Sequence, residues 1–304
     1  SYPRQRRPPA DWAYVHKELR RKAVTLMLLW QEYKEQHPDG LQYSQFCQRY
    51  RNWAQRVDPV MRIEHRAGQN TFVDYAGMSV PVFDPDTDST REAQIFVAAL
   101  GASSYSYAEA TWSQSLPDWI GSHVRCFEFF DGLTEAVVPD NLKTGVTKAN
   151  YYEPDINPTY LDLARHYGTV IIPTRISAPR DKAKVETAVQ VVERWILARL
   201  RNHKFRGLHE LNQTIARLLV ELNNKPFQKL PGSRRSMYES LERPALKPLP
   251  AQRYQFAEWK KATVNIDYHI EVLRHYYSVP YQLIKKKIDV RMTENTIECF
   301  YKNK

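Results

Sequence analysis

Three acidic residues stand in surroundings where a carboxylate is unexpected. Asp74 lies inside the apolar run TFVDYAG, Asp140 ends a second apolar run in AVVPDNLKTG, and Glu186 sits near the start of a helical pattern in PRDKAKVETAV. A carboxylate flanked by apolar strand residues is costly to bury unless it binds something. Carboxylate oxygens are hard ligands suited to Mg²⁺. Two such ions roughly 3.5–4 Å apart can activate an attacking oxygen and stabilise a leaving one in phosphodiester chemistry. Taken singly, each acid has a plainer explanation: Glu186 as a charge near a helix N-terminus, Asp140 as an Asx turn. Lys143, Lys148, Arg180, Lys182 and Lys184 lie close by in sequence and are candidates for holding a phosphate backbone beside the acids.

The surrounding pattern must bring these positions together. From about residue 69 the apolar period is two, and QNTFVDYAG, MSVPVFDP and REAQIFVAALGA read as three successive strands, with the turn-rich PDTDST between the second and third. Alternation puts Phe72 and Asp74 on one face of the first strand, and Val73 and Tyr75 on the other. Helix Leu116 to Phe130, strand TEAVVPDN, helix Pro158 to His166, strand GTVIIPT and a long helix Asp181 to Asn202 follow. Three strands and then alternating helix and strand is the element order of a ribonuclease H-like mixed sheet.

On either side the pattern differs. Residues 11–57 read as three short helices. Asp11 is the expected cap of the first, to about Lys22, Thr25 opens the second, His37-Pro38-Asp39-Gly40 is a turn, and Ser44 is the expected cap of the third. Phe46, Tyr50 and Trp53 form its apolar stripe, leaving Gln45, Gln48, Arg49, Asn52 and Arg56 outward. That arrangement suits either a helix-turn-helix reading base edges or a plain hairpin with a solvated face. After a helix from about Leu208 to Asn223, the Pro-rich and basic stretch from Lys225 reads as a linker. Residues 262–301 then show strand patterns expected to form a small β-barrel or sheet. The expected architecture is multidomain α+β: a helix-turn-helix-like helical domain at 1–60, a ribonuclease H-like mixed α/β core at 61–224, and a basic linker with a C-terminal small β-barrel at 225–304.

Charge supports a polyanionic partner. The net charge is +10. Residues 1–57 carry 11 Lys and Arg against 5 Asp and Glu, and residues 225–304 carry 16 against 8, whereas residues 58–224 carry 17 against 21. Basic flanks neutralise phosphates, and an acidic middle attracts divalent cations. Surface charge that merely confers solubility is the blander account. In the first flank Arg4, Arg6, Arg7, Arg20 and Arg21 are candidate DNA contacts, together with Gln45, Gln48, Arg49 and Asn52. Lys285, Lys286 and Lys287 suit DNA contact or edge-strand protection about equally. Cys47, Cys126 and Cys299 are odd in number and widely spaced, which indicates neither disulfides nor zinc. No apolar run approaches the ~20 residues of a membrane span, so the expectation is a soluble, cytoplasmic chain. Its basic opening without Met reads as the continuation of something upstream.

The segments FVDYAG, VPDNLKTGV and APRDKAKVE closely resemble the three acid-bearing segments of IstA-type transposases of bacterial insertion sequences, members of the superfamily that includes retroviral integrases. VTLMLLWQEY and YSQFCQRYRNW are similar to that family's DNA-binding helical region. The resemblance runs along almost the whole chain, with the family's upstream helix-turn-helix expected outside this sequence and the C-terminal barrel expected to end early. It implies that Asp74, Asp140 and Glu186 are catalytic and bind two Mg²⁺ or Mn²⁺ ions. The implied reaction is processing of transposon 3′ ends followed by joining of the 3′-OH to target DNA. It further implies double-stranded DNA, a homo-oligomer on paired ends and an AAA+ helper ATPase as partners. A ribonuclease H-like nuclease that cuts without joining, and an inactive DNA-binding regulator, are the competing readings.

Overall fold

The computed structural model describes residues 8–19, 21, 24–57, 65–84, 88–140, 146–148, 155–173, 179–228 and 230–302. These fall into two compact units, 1–64 and 65–304.

The first unit contains α1 (Trp12–Glu18), α2 (Leu26–Gln36) and α3 (Tyr43–Val57). Asp11 caps α1 by accepting from the Ala13 and Tyr14 amides, and Thr25 caps α2 by accepting from Leu28. The described part of α1 ends at Glu18, four residues short of the expected Lys22. Ser44 lies inside α3 rather than capping it, because the first helical bond already runs from Phe46 N–H to the Gln42 carbonyl. Leu29, Tyr33, Leu41 and Phe46 form the small core. Tyr33 ties it together, donating to the Pro8 carbonyl and accepting from the Leu41 amide. Gly40 is required at the turn, since a Cβ there would lie 2.6 Å from the Tyr33 ring.

The second unit is built on a mixed sheet of β1 (Asn70–Tyr75), β2 (Val80–Asp84), β3 (Ser89–Leu100), β4 (Ser106–Thr111), then, after α4 (Leu116–Phe130), β5 (Ala136–Pro139). Short strands β6 (Val146–Lys148) and β7 (Asp155–Ile156) pair with each other. Helix α5 (Pro158–Tyr167) leads to β8 (Val170–Ile171), the last strand of the main sheet. The order is β2-β3-β1-β5-β8, with β4 on the other edge of β3. Strand β1 is antiparallel to β3 and parallel to β5, which is parallel to β8. The expected succession of strands followed by alternating helix and strand is present, but β1 and β2 both pair with β3, along its two halves, rather than with each other as a meander requires. Strand β4 is additional to the expected set. Its SYAEAT looks polar, yet every residue is buried, and Glu109 is tolerated because Arg125 binds it through two nitrogens at 2.7 and 2.8 Å.

Each face of this sheet is covered. Val73, Tyr75, Phe96 and Ala98 meet Trp119, Phe127 and Phe130 of α4 and Tyr160 and Leu163 of α5. On the opposite face lie α6 (Pro179–Val192), a π turn (Glu193–Leu197) and α7 (Ala198–Leu200), followed by α8 (Leu208–Asn224). Val192, Ile196, Leu200, Ile215 and Leu219 pack there on Ala76, Ile95 and Val97.

The expected linker is instead part of the packed structure. It holds α9 (Arg234–Met237) and a π turn (Tyr238–Glu242), and the Glu242 carboxylate, fully buried, accepts from the Ala102 and Ser103 amides at 3.0 and 2.9 Å. A buried carboxylate needs such donors, and the loop after β3 supplies them. Beyond it are β9 (Glu258–Thr263), β10 (His269–Val272), β11 (His275–Ser278), β12 (Lys287–Met292) and β13 (Ile297–Phe300). They form a three-stranded sheet, β13-β12-β9, and a β10-β11 hairpin around Val264, Ile270, Ile288 and Val290. Among the described residues the sheet is open, which corrects the expected barrel. The turn at Leu273 and Arg274, with φ of 50° and 66°, closes β10 on β11 as a separate hairpin instead of passing it into the larger sheet. No helix among the described residues is long and apolar enough to cross a membrane.

Candidate active site

Strand β1 forms because NTFVDY alternates and is rich in β-branched and aromatic residues. Val73 and Tyr75 turn toward α4, with the Tyr75 ring 5.6 Å from Trp119 and 5.8 Å from Phe96. Burial pushes the Tyr75 hydroxyl up to about 12, so it stays neutral at physiological pH. Phe72 and Asp74 face the other way, as alternation requires. Asp74 is half-buried, and its Oδ1 accepts from the Tyr75 amide at 2.8 Å.

Asp140 is brought beside it by parallel pairing. Phe72 is level with Val138 and Val73 with Pro139, and the Asp140 N–H donates to the Val73 carbonyl at 3.2 Å. In-register residues of neighbouring strands share a face, and side chains alternate. Asp74 and Asp140 therefore share the α6 side of the sheet, on strands about 4.8 Å apart. Asp140 is half-buried just past the end of β5.

Glu186 is exposed on α6, one turn before Val189, which packs on Phe72 and Val138. The helix bearing the third acid thus lies over the face bearing the first two. Among the described residues no group of three or more His, Cys, Asp and Glu side chains is close enough to hold a metal ion. Two acids are neighbours through strand register, and the third is carried on the helix that covers them.

Of the candidate DNA contacts, Gln45, Gln48, Arg49 and Asn52 are exposed on α3. Arg21 is exposed and bound to Glu18 at 3.0 Å. Arg4, Arg6, Arg7, Arg20 and Lys143 lie outside the described residues, as do the side chains of Arg56, Lys148, Arg180, Lys182 and Lys184. Lys285, Lys286 and Lys287 are exposed where the chain enters β12. One residue escapes sequence reading: Glu193 accepts through Oε1 from the Gly77 N–H at 3.2 Å, joining the end of α6 to the end of β1. Its signal is its place seven residues after Glu186, on the same helix face.

Residues 249–304 match the family model for the Mu transposase C-terminal domain. A Sinorhizobium fredii protein assigned as transposase y4bL/y4kJ/y4tB is 51% identical over 300 residues, covering 97% of this chain and 58% of that protein. A Burkholderia multivorans protein assigned as transposase for insertion sequence IS408 is 47% identical, covering 98% of this chain and 58% of its own length. The Pseudomonas aeruginosa transposase for insertion sequence element IS21 is 28% identical over 211 residues, covering 68% of this chain and 53% of that protein. The chain belongs to the transposases of bacterial insertion sequences, and it spans little more than half the length of the curated relatives it matches. Among solved structures, a simian T-cell lymphotropic virus intasome bound to a PP2A regulatory subunit matches with a TM-score of 0.45 at 10% identity, covering 79% of this chain and 78% of that one. The HTLV-2 integrase catalytic core in complex with magnesium matches with a TM-score of 0.41 at 10% identity, covering 58% of this chain and 99% of that one. Both likenesses are too distant to bear on function.

Proposed function

We propose that the chain is the catalytic part of a DNA transposase that processes transposon 3′ ends and joins them to target DNA, with Asp74, Asp140 and Glu186 as its metal-binding acids. The observation that carries this reading is the β1–β5 register, which sets Asp74 and Asp140 side by side on the face that α6 covers. An all-carboxylate donor set suits Mg²⁺ or Mn²⁺ and no softer metal. When bound, a pair of such ions supplies an activated oxygen nucleophile and charge stabilisation at the leaving oxygen. The three carboxylates hold and orient. Tyr75, neutral and buried behind Asp74, keeps water from that side of the strand. The exposed Gln48, Arg49 and Asn52 of α3 are suited to base edges of the transposon end. The basic flanks are suited to phosphates. Pairing of ends by a homo-oligomer, an AAA+ helper and a cytoplasmic, nucleoid-associated setting accompany this reading through the family.

The test is Mg²⁺-dependent cleavage and strand transfer on DNA carrying a transposon end. Asp74→Asn, Asp140→Asn and Glu186→Gln preserve shape and remove charge. Each should reduce product on the order of a hundredfold or more, since even partners one step removed from a metal cost about 10–100-fold. Full activity in any one of them removes that residue from the site. Cleaved but never joined strands would favour the nuclease reading, and tight DNA binding without cleavage the regulator.

A further inference from the structure

Apolar packing of a helix on a sheet is non-directional, yet the proposed site needs Glu186 level with Asp74. The fixed point is Glu193. Its Oε1 accepts from the N–H of Gly77, two residues past the end of β1, just beyond the Ala76 N–H that bonds Ile95. Helix α6 runs in the same direction as β1: Val189 packs on Phe72 and Val138, and Glu193, further along, meets Gly77. From Glu186 to Glu193 is seven residues, about 10.5 Å of helix. From Asp74 to Gly77 is three residues, at most about 10 Å of extended chain. The spans match, so anchoring Glu193 at Gly77 draws Glu186 level with Asp74.

The helix changes character at that same residue. Glu193 begins the π turn that runs to Leu197, and beyond it Ile196, Leu197 and Leu200 are all buried. A π turn inserted in an α-helix shifts the faces on either side of it. The faces therefore change between the part bearing Glu186, where Val189 and Val192 pack on the sheet, and the end where Ile196, Leu197 and Leu200 do. The bond from Gly77 to Glu193 adds a directional polar contact to that packing, at the point where the faces change.

The geometry points to Glu193 as a positioning residue for the proposed metal site: it touches neither substrate nor metal, and sets the height of Glu186 through Gly77. This rests on the assignment of Glu186 as a metal-binding acid, and the experiment separates the two. Mn²⁺ binding by the full chain and the Mg²⁺ concentration for half-maximal cleavage would be measured for native chain, Glu193→Ala, Glu193→Gln and Glu186→Gln, with amide exchange at Gly77 followed in each. Glu193→Ala should weaken Mn²⁺ binding and raise the Mg²⁺ requirement about tenfold, with cleavage recovered at saturating Mg²⁺ and faster exchange at Gly77. Glu193→Gln retains the acceptor and should behave as native in all three. Native Mn²⁺ affinity in a folded Glu193→Ala, while Glu186→Gln loses binding, overturns the positioning role and leaves the metal site standing. Native binding in Glu186→Gln overturns the metal-site assignment itself. Should Glu193→Ala fail to fold, an unprotected Gly77 amide in the native chain overturns the proposal, because the hydrogen bond it requires is then not held.

Discussion

At the scale of single residues, burial decides which groups titrate. His123 is enclosed between Trp119, Phe96 and Tyr160. One ring nitrogen meets the Trp119 carbonyl at 2.7 Å, and the other the Tyr160 hydroxyl at 2.9 Å. Burial lowers its pKa from 6.5 to about 4. The folded chain therefore keeps His123 neutral in a range where the unfolded chain protonates it. The stability this group contributes is complete above about pH 6.5 and is lost as pH falls toward 4, to a total of about 3 kcal/mol. Urea unfolding at pH 7 and pH 5 should show a fall in midpoint that His123→Gln largely abolishes. An unchanged fall in that variant would assign the pH dependence elsewhere. That Asp74 falls within a strand and Asp140 at a strand end is legible in the sequence, because strand alternation and an apolar context are local properties. Glu193 is not, because its partner Gly77 is 116 residues away and a solvated helix glutamate looks the same.

At the scale of elements, helix α8 does for the edge strand β4 what another strand would otherwise do. The Asn223 side chain accepts from the Ser106 amide at 3.0 Å and donates to the Ser106 carbonyl at 2.8 Å. Asn212 does the same for Ala110, at 2.7 and 2.9 Å. An edge strand leaves a row of unpaired backbone groups, and here two side-chain amides satisfy it at both ends. Asn223 is 2% exposed. Asn223→Ala would strand a buried donor and acceptor and should cost about 2 kcal/mol, read as a lowered denaturant midpoint. A loss within a few tenths of a kcal/mol would mean that water replaces the amide. The same elements show where sequence reading stops. Leu116–Phe130 is legible to the residue, because Ser115, Pro117 and a 3.6-residue apolar period are all local. Strand β4 is invisible, since SYAEAT lacks alternation and its burial depends on Arg125 and on α8. The stretch after Lys225 resembles a linker in its Pro and Arg content, although Glu242 anchors it to the β3–β4 turn.

At the scale of the whole molecule, charge and packing divide the work. The acidic middle carries the candidate site, and the C-terminal sheet is fastened to α5 by Arg291, which binds Asp162 at 2.9 Å and Glu298 at 2.6 Å. The basic flanks remain for phosphates. Replacing Arg4, Arg6 and Arg7 with Ala should flatten the salt dependence of DNA binding by up to about 3 in the log–log slope, at about 0.9 for each phosphate no longer neutralised. An unchanged slope would mean that these arginines touch no phosphate. On the proposed function, Asp74, Asp140 and Glu186 gather around shared metal when DNA is bound. Loading the DNA complex with Fe²⁺ in place of Mg²⁺, and adding ascorbate and peroxide, generates radicals that cut the polypeptide next to the metal. Cuts are expected beside residues 74, 140 and 186 together, all suppressed by excess Mg²⁺. Cuts that spare any of the three, or that fall elsewhere in the chain, would contradict it.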